Sequence, residues 1–233
     1  MKPPILSLLI LIFFTACDSK DDVIEMIEEE LPNQTFSFSD YNWSSFNASV
    51  FDVKLDGEEL TLTLNQNAAW FNAETGGMYF MTHSGDFDFS ATVVTSNVAG
   101  TQAPVESYSF GGLVARDPGS ASENYVHVVT GTGVNTQSPI SGYEYKITRD
   151  SQSDYTITQD GSHAHDLRLV REGNLFSFYQ RTAESEENWN LIHSTEQNMP
   201  TELQLGFTIY TAFDGPETLD MQVHISHVKL QSE

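Results

Sequence analysis

Apolar and polar residues alternate with a period of two along most of this chain, and that restricts its fold more than any other feature. Leu60, Leu62 and Leu64 alternate with Thr61 and Thr63. Phe87, Phe89, Ala91 and Val93 alternate with Asp88, Ser90 and Thr92. Tyr143, Tyr145 and Ile147 alternate with Glu144, Lys146 and Thr148, and Met221, Val223 and Ile225 with Gln222, His224 and Ser226. Successive side chains of a strand point to opposite faces, so each run reads as a half-buried antiparallel strand, apolar inward and polar outward. No window has a convincing apolar pattern at i, i+3, i+4, i+7. Turn signals separate the runs, among them Asp56-Gly57, Ser84-Gly85, Asp117-Pro118-Gly119, Asp160-Gly161 and Asp214-Gly215-Pro216. Glu172-Gly173-Asn174, between Leu167-Leu169 and Phe176-Phe178, predicts a tight hairpin. Twelve to fourteen strands are expected, by a rough count, and no linker divides them. With 39% hydrophobic and 12% aromatic residues in 233, the chain can fill the core of one all-β, two-sheet antiparallel sandwich.

The chain opens differently. Lys2 precedes the apolar run Ile5–Phe14, which is too short to span a bilayer comfortably and reads as a signal peptide over residues 1–16. Phe14-Thr15-Ala16-Cys17 contains the only cysteine and resembles a bacterial lipobox. The resemblance implies cleavage before Cys17 and a diacylglycerol on its sulfur. Residues 18–30 hold seven acids and one base, so 17–34 is expected to be an acidic tether. An acidic stretch after the lipidated cysteine resembles the surface-export signal of Bacteroidetes lipoproteins. Asp18 by itself resembles the enterobacterial inner-membrane retention signal; Ser19-Lys20-Asp21-Asp22 favours export. The expected location is therefore the outer membrane, lipid-anchored and exposed at the cell surface. A formal net charge of −23 repels nucleic-acid backbones and anionic headgroups, which argues against a nucleic-acid partner. One cysteine excludes a disulfide framework.

Several segments follow one another in a telling order. Gly85-Asp86-Phe87-Asp88-Phe89 is followed by Phe110-Gly111-Gly112-Leu113-Val114-Ala115-Arg116-Asp117, then Asn124-Tyr125-Val126-His127-Val128 and Gly142-Tyr143-Glu144-Tyr145. Leu167 to Tyr179, Trp189, Leu205-Gly206-Phe207 and a terminal strand ending at Leu230 complete the set. Over residues 35–231 the chain resembles the concanavalin A-like lectin/glucanase superfamily, within it the laminin-G-like, "regulation of enolase"-type domains and the C-terminal modules of β-xylosidases. The resemblance implies a jelly-roll β-sandwich with a concave face that often holds sugar.

Retaining glycosidases of that superfamily carry Glu-x-Asp-x-x-Glu on one strand, where one carboxyl protonates while another attacks. No such spacing occurs here. Asp86 and Asp88 share a strand face but read as a solvated strand end, and Glu184, Glu186 and Glu187 as loop solvation. His163-Ala164-His165 would place two imidazoles on one strand face, as a zinc or copper site needs, or sit in an exposed turn. No resident cofactor is expected, apart from a structural Ca²⁺ for which Asp40, Asp214 and Asp220 offer oxygens. Neither a Gly-x-Ser-x-Gly nucleophile nor a phosphate loop is present.

Sugars stack on aromatic faces while bidentate polar groups grip their hydroxyls. Trp70 lies in the amide-rich Asn65-Gln66-Asn67-Ala68-Ala69-Trp70-Phe71-Asn72 and suits either a stacking platform or a core position. Arg116, His127 and Glu144 fall on the polar faces of their strands and would converge if those strands are neighbours. Their alternative is an ion-pair cluster of little energetic weight. Trp189 reads as a core residue. Trp70, Arg116, His127 and Glu144 are thus the expected ligand-binding residues, with no catalytic and no metal residue. The expected function is non-catalytic carbohydrate binding by a surface lipoprotein. The alternatives are a glycoside-active hydrolase or lyase, and a protein-binding adhesion or assembly module.

Overall fold

The computed structural model describes residues 36–133, 140–211 and 219–232. The signal peptide, Cys17 and the acidic tether lie outside them, as does Asp214. After a 3-10 turn at Phe38–Asp40 come fourteen strands: β1 (Ser44–Phe46), β2 (Phe51–Asp56), β3 (Glu59–Leu64), β4 (Gly77–Ser84), β5 (Phe87–Ser96), β6 (Ser109–Arg116) and β7 (Tyr125–Thr132). The rest are β8 (Ser141–Arg149), β9 (Gln152–Thr158), β10 (Ala164–Glu172), β11 (Leu175–Thr182), β12 (Asn190–Glu196), β13 (Glu202–Thr211) and β14 (Gln222–Ser232). They form two seven-stranded sheets, ordered β1-β4-β13-β6-β7-β8-β9 and β12-β11-β10-β5-β14-β3-β2. Every pairing within the sheets is antiparallel. This is the expected two-sheet sandwich.

Tight turns fix the register. β10 and β11 meet through Gly173-Asn174, with Gly173 at φ +61°, and Glu172 faces Leu175 across the hairpin. β8 and β9 meet through Asp150-Ser151, both at positive φ (48° and 60°), the conformation whose twist matches that of the flanking strands. Alternation then places Leu60, Leu62, Phe89, Val93, Leu113, Val128, Leu167, Phe178, Phe207 and Ile225 in one core between the sheets. Where the sheets approach closely the core admits no side chain. At Gly111, a Cβ would lie 2.1 Å from Val223 Cγ2.

One expectation needs correction. Polar faces were expected to point outward into solvent, but the outer face of the first sheet is covered. Glu144 and Lys146 are buried, whereas Tyr143 and Tyr145 on the other face of β8 are half-buried. All eight residues of β7 are buried. A second apolar cluster accounts for this: Trp70, Met78, Phe110, Val114, Tyr125, Val129 and Tyr210 pack outside the first sheet. Segment 65–76 supplies the cover, tied down by the Ala68–Thr211 bridge and by mutual bonds between Asn72 and Ser153.

Candidate functional site

Three of the four expected binding residues come together, and they do so beneath segment 65–76. β7 and β8 are neighbours with His127 opposite Lys146. His127 Nε2 lies 2.8 Å from Glu144 Oε1, which also takes the Tyr210 hydroxyl at 2.8 Å and the Lys146 ammonium at 3.0 Å. Trp70 closes the cluster: its ring packs on Tyr125, its Nε1–H donates to Thr208, and its carbonyl accepts from Lys146 Nζ at 2.7 Å. Arg116 lies on the same sheet face but turns to other partners. It forks onto Glu123 (2.7 Å from both Nε and Nη2), donates to Gln204 and sits over Phe46. Trp70 and His127 are 0% exposed and Glu144 is 1% exposed. The expected open groove is therefore a sealed polar network, and these side chains meet a ligand only if segment 65–76 lifts.

Burial sets the charges in this network. It pushes the His127 imidazole down to about 4, against the pull of its bond to Glu144. At neutral pH the contact is thus a hydrogen bond from neutral His127 Nε2–H to a carboxylate. That tautomer leaves Nδ1 as a bare acceptor, and Nδ1 has no partner among the described residues. Burial alone would raise the Glu144 carboxyl. The Lys146 ammonium and the bonds from His127 and Tyr210 outweigh it and hold Glu144 below the usual carboxylate range.

The open site lies on the outer face of the second sheet. There a hollow of about 630 Å³ is floored by β5, β10, β11 and β14 and flanked by the segment before β12. Register explains its floor. Asp88 and Ser90 of β5, Asp166 and Arg168 of β10, and Lys229 and Gln231 of β14 all project outward from strands that pair side by side. Arg168 grips Asp88 with both Nε and Nη2, the Nε contact being 2.7 Å. Arg181 donates Nε–H to Asp166 at 2.8 Å, and Asp166 also accepts from Thr92 Oγ1 at 2.6 Å and from the Glu184 N–H at 3.1 Å. Trp189 stands at the wall. The Arg181 guanidinium is 4.4 Å from its ring centre, and Arg168 is 5.7 Å away.

Two non-glycine residues in the left-handed region border this hollow: Glu184 at φ 55° and His227 at φ 50°. His227 lies where the β14–β5 register slips between Ser226 and Lys229, at a bulge. Backbone of this kind costs about 1–3 kcal/mol per residue and gathers where ligands bind.

Trp189, expected in the core, stands at this wall; Asp88, expected at a solvated strand end, is gripped by Arg168; and Glu184, expected as loop solvation, is exposed at its rim. The signal for the hollow was the alternation of Asp166 and Arg168 with Leu167 and Leu169, beside an isolated Trp189 flanked by asparagines. The pairing of β10 with β5 was invisible.

The other candidates are accounted for by local bonds. His163 bonds the Thr95 carbonyl, while His165 bonds Thr130 and Asp160. The Asp220 carboxylate accepts from the Val98 N–H, and Asp40 lies in the 3-10 turn. Among the described residues no three His, Cys, Asp or Glu side chains gather as a metal set.

No family model and no curated protein matches the sequence. Solved structures do. A functionally unknown protein from Saccharomyces cerevisiae superposes with a TM-score of 0.63 at 15% identity, covering 84% of this chain and 97% of that one. Xylan β-1,4-xylosidase from Bacillus halodurans matches with a TM-score of 0.53 at 12% identity over 75% of this chain, which spans only 33% of the enzyme. Lectin I-B4 from Griffonia simplicifolia matches with a TM-score of 0.50 at 12% identity, covering 82% and 98% of the two chains. The sandwich thus has the concanavalin A-like jelly-roll fold.

Proposed function

We propose that this chain is a lipoprotein, anchored through Cys17 to the outer membrane and exposed at the cell surface, whose sandwich binds a glycan without cleaving it. The observation that carries the reading is the hollow itself: a half-exposed tryptophan beside two arginines and two carboxylates on a rigid sheet. An aromatic face with converging bidentate polar groups suits a sugar ring and its hydroxyls. The fold neighbours support a saccharide, since one is a lectin and another a xylan xylosidase. Binding is favoured over turnover because the carboxylates are already engaged. Both Asp88 oxygens take Arg168, and Asp166 takes three donors. Neither stands unpartnered toward a ligand, as a carboxyl poised for proton transfer would.

Affinity electrophoresis on a panel of polysaccharide gels tests this with two variants. Trp189→Ala is expected to abolish retardation while leaving the melting temperature within about 2 °C of wild type, since the side chain stands outside both apolar cores. Trp70→Ala tests the sealed network as the alternative site. Loss of retardation in a Trp70→Ala protein that still melts cooperatively, with Trp189→Ala unaffected, would move the ligand under segment 65–76. No retardation on any polysaccharide removes the glycan reading.

A further inference from the structure

We infer that the hollow on the second sheet recognises the anionic group, carboxylate or sulfate, of an acidic glycan. The inference rests on the reading that this hollow holds sugar, and it names which sugars. Three positively charged side chains line it, and each keeps at least one donor group with no hydrogen-bond partner among the described residues. Arg168 spends Nε and Nη2 on Asp88. Arg181 spends Nε on Asp166 and Nη1 on the Glu187 carbonyl. Among the described residues, Arg168 Nη1, Arg181 Nη2 and the exposed Lys229 ammonium have no protein partner.

The acceptors are in the opposite condition. Asp88 takes two donors from Arg168, and Asp166 takes three, from Arg181, Thr92 and a backbone N–H, so both carboxylates are already engaged. Glu184, the remaining acid of the lining, is exposed. A neutral hydroxyl donates as well as accepts and would need free acceptors from the protein. A carboxylate or sulfate only accepts, and it matches a wall of unspent charged donors.

Placement strengthens the point. Residues 35–231 of this acidic chain contain eight lysines and arginines. Three of them, Arg168, Arg181 and Lys229, line this one hollow. Two of them are ion-paired through bonds that leave one terminal nitrogen of each guanidinium without a hydrogen-bond partner among the described residues. Lys229 follows the β14 bulge, which sets it beside His227 at the same cavity.

Calorimetric titration of the full chain tests this with matched ligands. One pair is a galacturonic acid trisaccharide and its methyl ester; the other is a sulfated galactan oligosaccharide and its desulfated form. The acidic member of at least one pair is expected to bind about tenfold more tightly than its neutral partner, the scale of a charge-assisted bond. Which pair discriminates identifies the anion. Lys229→Ala is expected to lose about fivefold toward the acidic ligand and less than twofold toward the neutral one, with an unchanged thermal melt. Equal affinity within both pairs, together with Trp189→Ala abolishing all binding, overturns the inference and leaves the glycan reading intact. Binding of none of the four ligands, with no retardation on neutral polysaccharide gels, removes both.

Discussion

His127 shows what burial does to a single titratable side chain in this fold. Its folded value of about 4 lies below the ordinary imidazole value of 6.5. Between those two values the unfolded chain binds a proton that the folded chain refuses. Stability therefore falls as the pH drops from about 6.5 toward 4, by roughly 3 kcal/mol for this group. Glu144 acts in the same direction at lower pH. Its carboxyl is held down in the fold, so its contribution is present above its unfolded value and is lost as the pH falls through the folded one. Urea unfolding at half-unit pH steps is expected to give a stability that drops across pH 6.5–4, with a shallower slope in His127→Gln. An unchanged slope in that variant would place the acid sensitivity elsewhere. Trp70, at the lid of the same network, fills the second apolar cluster. Trp70→Ala is expected to cost about 3–5 kcal/mol, because it empties a core position and strips Thr208 of the indole N–H; the bond from Lys146 goes to the backbone carbonyl and is kept. Denaturant midpoints read this directly.

Between elements, the spacing of the sheets is set at Gly111 of β6, which faces Val223 of β14. Val223 Cγ2 would lie 2.1 Å from a new Cβ, so the change forces side chains or strands apart. Gly111→Ala is expected to destabilise the sandwich by about 1–3 kcal/mol, and Val223→Ala to recover part of that loss in the double variant. Additive losses would show that the two positions do not meet. The strands themselves were legible from alternation, as Leu60-Thr61-Leu62 and Phe87-Asp88-Phe89 illustrate, and so was the Gly173 turn. Which strands lie side by side was not. β5 pairs with β10 and β14, and those contacts join residues about 75 and 135 positions apart. The sealed network was half legible. Period two puts His127 and Glu144 on one sheet face, but nothing local announces that residues 65–76 will cover it. The hollow was missed for the matching reason: Trp189 carries the same letter whether packed in a core or stacked on Arg181.

At the scale of the whole molecule, attachment to a membrane is a question of which force holds a chain of net charge −23. Electrostatics opposes it, since anionic headgroups repel the acidic residues that follow Cys17 and those of the sandwich. Among the described residues no helix is long and apolar enough to cross a bilayer. In the proposed reading, adhesion rests on the lipid at Cys17. Acyl chains contribute about 0.8 kcal/mol per buried methylene, so two or three chains hold a domain of this size where one would let it exchange. The two forces respond oppositely to salt. Screening by 1 M NaCl weakens electrostatic adhesion and leaves acyl insertion untouched. The wild-type protein is expected to stay in the membrane pellet through a salt wash and to incorporate labelled palmitate. Cys17→Ser is expected to lose the label and leave the pellet, while the sandwich melts at its usual temperature because Cys17 lies outside residues 35–231. A serine variant that still pellets after the wash would mean that the sandwich itself, or a partner protein, holds the membrane.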